Sequence, residues 1–253
     1  MQTTSSRLNR EVELSPQVKA RQHEISEHAI AYCHRSLNNS RFFTLLKQGN
    51  VTQSLMQYVF LQYGLWRDRL HQWFGLCIVK APSCADQESA IMALADHTFT
   101  DLQDGHSEMF LALLDVLGLD RSDLQSTERS AATISYERSF FNTFGYETSN
   151  FYEALAGLSG RELCVSIRNQ RILQEYFDPQ NLEHPAWLAL HAELEVDHFL
   201  DAIRPVLIHF VGEVAINDVI QAVEQSIDRH MQYFDDLLDE FNAELAQALQ
   251  PQN

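Results

Sequence analysis

Glycine and proline are scarce in this chain: 9 and 6 residues among 253. That is about half of ordinary usage and leaves few places for tight turns. Strands joined by many hairpins are disfavoured; long helices with few connections are favoured. Cysteine is also scarce, at four residues, Cys33, Cys77, Cys84 and Cys164. None forms a C-x-x-C pair, so neither a thiolate zinc site nor a disulfide framework is expected. Reduced thiols and a cytoplasmic location follow as expectations. Basic residues are few, 18 Lys and Arg against 35 Asp and Glu, for a net charge of −17 and a pI near 4.9. Nucleic acid and anionic membranes are poor partners for such a surface. No long apolar run is present either. The most apolar stretch, 55–81, is interrupted by Arg67, Asp68, Arg69 and His71, which rules it out as a membrane span. Residues 1–20 are polar and carry no secretory signal pattern.

What the chain does have is helical periodicity. Residues 1–15 form a polar N-terminal arm, and 16–250 form one all-α domain, a bundle of about seven to nine helices. Ser15-Pro16 opens a helix reaching about Leu37, with proline at a first-turn position. Arg41–Lys47 is a short helix ended near Gly49. Thr52 or Ser54 caps a long helix to about Lys80. Helices follow at about 86–103, 106–117, 129–144, 149–177 (ending before Pro179), 185–203 (ending ahead of Pro205) and 215–248. Nothing alternates at period two, so no sheet is expected.

The segment from His184 to Leu200 carries the strongest chemical signal. His191, Glu195 and His198 fall at about 0°, +40° and −20° around a helix, a narrow stripe. Trp187, Leu194, Leu188 and Phe199 flank it, so the stripe runs down the apolar face. Glu193 and Asp197 point elsewhere. A carboxylate aimed into a core costs several kcal/mol unless paired or metal-bound, and no Lys or Arg occurs in 184–203. The stripe therefore reads as half of a metal site, the alternative being a metal-free hydrogen-bonded network. Glu162 is a second carboxylate in an apolar stripe, with Leu155, Leu158, Val165 and Leu173. Arg161 points about 100° away from it, so no local salt bridge is expected. By itself Glu162 fits a ligand or a structural ion pair equally well. His106 opens a helix with Met109, Phe110, Leu113 and Leu117 on its side. Imidazoles and carboxylates without thiolate suit iron or manganese better than structural zinc. Asp101 is the preferred sixth ligand, with Asp104 and His97 as alternatives. On an unbroken helix Asp101 would face away from His106, so its participation needs a break at Asp104-Gly105, which glycine permits. Phe60, Tyr63, Trp66 and Tyr152 are candidate substrate-pocket residues, although aromatics at helical spacing are more often core.

These residues resemble the haem-oxygenase-like di-iron oxidases, the group of the CADD, UndA and BesC proteins. The resemblance is carried by His97-Thr-Phe-Thr-Asp101 with Gly105-His106-Ser-Glu-Met-Phe, by Glu162-Leu-Cys-Val165-Ser-Ile167, and by His191-x-x-x-Glu195-x-x-His198, in that order. It extends loosely from about 20 to 240. It implies a haem-oxygenase-like (TenA/CADD-like) bundle and a metal ligand set of Asp101, His106, Glu162, His191, Glu195 and His198. It also implies two iron ions cycling between Fe2+ and Fe3+, O2 as co-substrate, and oxidation of a small amino-acid- or carboxylate-type metabolite by N-oxygenation, C–C cleavage, decarboxylation or desaturation. Two Fe(II) with three carboxylates leave a net charge of about +1, room for an anionic ligand. The chain departs from the family by offering Asp101 where a glutamate is usual, and Glu195 where aspartate is common.

Other readings compete. Haem oxygenase itself would use His23 as haem ligand and Gly157-Leu-Ser-Gly160 as its glycine-bearing distal helix. A ferritin-like bundle needs a second Glu-x-x-His motif, for which Asp68-x-x-His71 is the nearest match. A thiamin-salvage-type hydrolase would use Cys164 or Cys84 as nucleophile. A non-catalytic helical binding protein would use the last helix, with Ile220, Val223, Ile227, Met231, Phe234, Leu237 and Leu238, as an interaction surface or homodimer seam.

Overall fold

The structure, a computed structural model, describes residues 14–67, 69–81, 91–92, 94–95, 98–99, 105–140, 150–209 and 213–248; the side chains of 209 and 213–215 are outside that description. Among the described residues there are ten α-helices and no strand. The polar arm before residue 14, His97, Asp101, Asp104 and Cys84 lie outside the described residues.

Helix α1 spans Pro16–Asn39, capped by Ser15, whose hydroxyl accepts from the Val18 amide. It buries Ile25, Ala29, Cys33 and Leu37, one residue per turn. Ser40 both ends α1 and caps α2, Arg41–Lys47. Gly49, at φ 69°, then turns the chain at a backbone angle that costs glycine least. Helix α3 covers Gln53–Arg67 and α4 covers Leu70–Lys80, so the single helix expected over 52–80 is two. Arg69 leaves helical geometry, with φ −104° and ψ 3°. It donates to the buried Glu137 carboxylate at 2.9 Å, which Arg129 also reaches at 2.8 Å. A buried carboxylate needs such cations.

Helix α5, His106–Val116, starts directly after Gly105, whose φ of 71° lies outside helical geometry. Helix α6, Arg121–Ser126, is an addition to the expected set; Asp120 and Asp123 form a reciprocal capping box around its first turn. Helix α7 is Ala131–Phe140. Helix α8, Phe151–Ile172, opens with an Asn150–Glu153 capping box. It continues through a π-turn at Leu173–Phe177 and a 3-10 turn at Asp178–Gln180 to Asn181 at φ 52°. Helix α9 is Ala186–His209 and α10 is Glu213–Ala248.

Helix α9 was expected to end ahead of Pro205 and instead runs through it. Proline inside a helix costs about 3 kcal/mol. Ile203, Val206 and Leu207, all buried on either side of it, recover that amount by burial at roughly 1.5–3 kcal/mol each.

The core is organised around α8, which is buried on nearly every side, with α9 against one flank and α10 against another. The Ser166 hydroxyl and Gln170 amide of α8 both donate to the Ala192 carbonyl of α9, at 2.6 and 3.1 Å. Gly160 lets α10 cross closely: a Cβ there would stand 2.7 Å from the Val223 carbonyl oxygen. The apolar side of α10 (Val223, Ile227, Met231, Phe234, Leu237, Leu238) is core.

Candidate metal centre

Helices α5, α8 and α9 bring four of their polar side chains into this core. His106, Glu162, His191 and Glu195 are 2, 1, 7 and 3% exposed, while His198 keeps partial access to solvent. Glu193 and Asp197 are exposed, as the helical period requires. Ligand atoms of Glu162, Glu195 and His198 lie within 4.8 Å of one another. His106, His191 and Glu195 line one cavity of about 20 Å³, together with Tyr63, Arg67, Leu70, Arg161, Val165 and Trp187. The rings of His106 and His191 are 5.0 Å apart. Glu195 thus belongs to both groups. Among the described residues the expected inward-facing set is assembled, and Asp101 falls outside them.

Hydrogen bonds orient the imidazoles of α9. His191 Nδ1 lies 2.7 Å from the Trp187 carbonyl oxygen. That oxygen only accepts, so Nδ1 carries the proton and Nε2 the lone pair. His198 Nδ1 donates to Glu195 Oε2 at 2.6 Å, which fixes the orientation of its ring. Backbone- or carboxylate-anchored imidazoles of this kind are pre-oriented for metal binding.

Glu162 and Arg161 overturn the expectation that they point apart. Arg161 Nη1 donates to Glu162 Oε1 at 2.6 Å, with both side chains buried. A long guanidinium reaches across the angle that separates their Cβ atoms. The pairing is partial. Glu162 Oε2 and Arg161 Nε are buried without a hydrogen-bond partner. Burial pushes the Glu162 carboxyl well above the ordinary carboxylate range; Arg161 opposes that rise, and the neighbouring Glu195 adds to it. The two buried carboxylates share one guanidinium and the His198 imidazole, which also opposes the rise at Glu162, and the orphaned Oε2 has the chemistry of a cation ligand.

A family model described as an iron-containing redox enzyme matches residues 57–231. The chain belongs to the iron-containing redox enzyme family. The matched span contains His106, Glu162, His191, Glu195 and His198. Solved structures share the fold. A Shewanella denitrificans domain of unknown function with a heme oxygenase-like fold is 15% identical, covering 91% of this chain and 97% of that one at TM-score 0.74. A CADD-like protein of unknown function from Nostoc punctiforme is 16% identical, with 88% and 96% covered at TM-score 0.67. A TenA homologue from Pseudomonas syringae is 10% identical, with 85% and 93% covered, also at 0.67. A search of curated proteins finds no match.

The rival readings fare poorly in the geometry. His23 is exposed on α1, and Gly160 serves the α10 crossing, so neither needs a haem. His71 is exposed. Cys164 is fully buried, which keeps its thiol from a substrate, and Cys84 lies outside the described residues. Of the aromatics proposed for a substrate pocket, Tyr63 lines the cavity at the centre. Phe60 and Trp66 are packed in the core and Tyr152 stands against Phe151; none of these three is among that cavity's lining residues.

A second buried network went unread in the sequence. Arg168, with no exposure, donates from Nη1 to His230 Nε2 at 3.1 Å and from Nε and Nη2 to Asn169 Oδ1. His230 Nδ1 bonds the Tyr136 hydroxyl at 2.5 Å. The guanidinium also stacks over the Tyr63 and Phe234 rings. Its members come from α7, α8 and α10, and only the tertiary fold brings them together.

Proposed function

We propose that this member of the family is a non-haem di-iron oxidase or oxygenase that uses O2 to oxidise a small amino-acid- or carboxylate-type metabolite. One observation supports it above the rest: Glu195 belongs to two groups of donors, with Glu162 and His198 in one and with His106 and His191 in the other. A carboxylate in that position can bridge two cations. Glu162, Glu195 and His198 would hold one ion; His106, His191 and Glu195 would hold the other, with Asp101 as the remaining candidate. The donor set, imidazole and carboxylate without thiolate, suits iron. Bound iron would supply the one-electron chemistry that lets O2 react.

The chain's own contribution is orientation and exclusion of water. The Trp187 carbonyl fixes the His191 ring, and the α8–α9 bonds to Ala192 fix the turn between His191 and Glu195. Tyr63, Leu70, Val165 and Trp187 give the cavity apolar walls, which strengthens every charge interaction inside it. Anaerobic loading with Fe(II), followed by metal analysis and an O2-uptake screen with amino acids and fatty acids, tests the proposal. Two irons per chain and substrate-dependent uptake are expected. A protein that takes up no stoichiometric iron contradicts it.

A further inference from the structure

Arg161 sits where a centre built only to hold cations would not place it. Its side chain is 3% exposed and its guanidinium stacks 4.8 Å above the Trp66 ring. It donates to Glu162 Oε1, has an unfilled Nε donor, and lines the same cavity as His106, His191 and Glu195. Arg67 lines that cavity too.

The electrostatics change when cations arrive. Two divalent ions with Glu162, Glu195 and a third carboxylate leave about +1, and Arg161 raises this to about +2 in a buried space. Glu162 then serves a metal, and its claim on the guanidinium weakens. Buried positive charge in excess is costly unless an anion joins it. The planar fork of arginine matches a carboxylate. The cavity, about 20 Å³, holds little more than one water-sized group as it stands, so a carboxylate would have to enter in place of the Glu162 pairing, and Tyr63, Leu70, Val165 and Trp187 wall it with apolar surface.

We propose that Arg161 is the specificity-determining residue of this centre, its guanidinium passing from Glu162 to the carboxylate of the substrate once the metal ions are bound. This rests on the di-metal reading above. No covalent step is involved: an ion pair within the protein is exchanged for one with the ligand.

The test uses full-length protein loaded anaerobically with Mn(II), which avoids turnover, and calorimetric titration with propionate and with propionamide. Metal content is measured on every sample. The wild type should bind propionate at least tenfold more tightly than propionamide. Arg161→Gln should lower propionate affinity by about tenfold, as expected for loss of a charge-assisted hydrogen bond, and leave propionamide unchanged. Arg161→Lys, which keeps the charge and loses the fork, should fall between the two and carries the comparison if the glutamine variant does not fold. A wild type that binds Mn(II) without preferring propionate, or variants that bind both Mn(II) and propionate as the wild type does, overturns the role of Arg161 and leaves the metal reading standing. A wild type that binds no Mn(II) overturns the metal reading and this inference with it.

Discussion

Acid should destabilise the metal-free protein more than its surface histidines alone require, and His230 sets the excess. Arg168 is always a donor, so the nitrogen it meets, His230 Nε2, must hold a lone pair. The ring proton is then on Nδ1 and is donated to the Tyr136 oxygen. Protonating Nε2 would set an N–H against the guanidinium in a site closed to water. Burial, then Arg168 and Arg161, hold the His230 pKa well below its ordinary value. The unfolded chain protonates at about 6.5. With the folded value depressed, stability is fully present above about pH 6.5 and declines below it, at up to about 1.4 kcal/mol per pH unit. By pH 5 the loss from this one group can reach no more than about 2 kcal/mol. His230→Gln keeps an acceptor for Arg168 and a donor for Tyr136 but cannot titrate. Urea unfolding of both metal-free proteins from pH 7.5 to 5 should show the variant losing less stability than the wild type, by up to about 2 kcal/mol. Parallel pH dependences would refute the assigned tautomer and the neutrality of His230.

Other consequences are as direct. Gly160→Ala would set a Cβ 2.7 Å from one Val223 backbone atom and 3.0 Å from another. Overpacking of about 1–3 kcal/mol should exceed the roughly 1 kcal/mol gain in helix propensity and lower the calorimetric Tm by several degrees; an unchanged or higher Tm contradicts the close crossing. Pro205→Ala should restore a helical hydrogen bond in α9 and stabilise the protein by about 1–3 kcal/mol in urea unfolding, whereas destabilisation would mean the proline is needed there. Metal analysis after iron loading should find that Glu195→Ala holds no ion and that His198→Ala and His106→Ala each lose one. The exposed-site variants Glu193→Ala and Asp197→Ala should retain both, and equal losses in the two sets would contradict the division of α9 into inner and outer faces.

The α9 stripe was legible because a helix has one period: once Trp187, Leu188 and Phe199 are taken as core, His191 and Glu195 must face inward and Glu193 and Asp197 outward, as they do. The start of α5 at Gly105 was legible for a similar reason, since glycine adopts that backbone angle at least cost. Helix α6 was readable from Asp120-Arg-Ser-Asp123, a capping pattern, and was overlooked. The break between α3 and α4 falls at the charged run Arg67–Arg69 that interrupts the apolar stretch, but the partner that Arg69 meets there, Glu137, lies 68 positions away and could not be read from the sequence. Persistence of α9 through Pro205 was hidden likewise, as burial of its neighbours decides it. Arg161 was misplaced because a wheel locates Cβ atoms, whereas a guanidinium reaches well beyond its own sector. His230 gave no sign of its role, since Tyr136 and Arg168 come from other helices.

Anomalous diffraction at the iron edge, from crystals grown anaerobically with Fe(II), tests the central claim most directly. Two peaks are expected, one among Glu162, Glu195 and His198 and one beside His106 and His191, with Glu195 reaching both. No peak in this core, or Arg161 still paired with Glu162 and iron bound only at surface carboxylates, would contradict it.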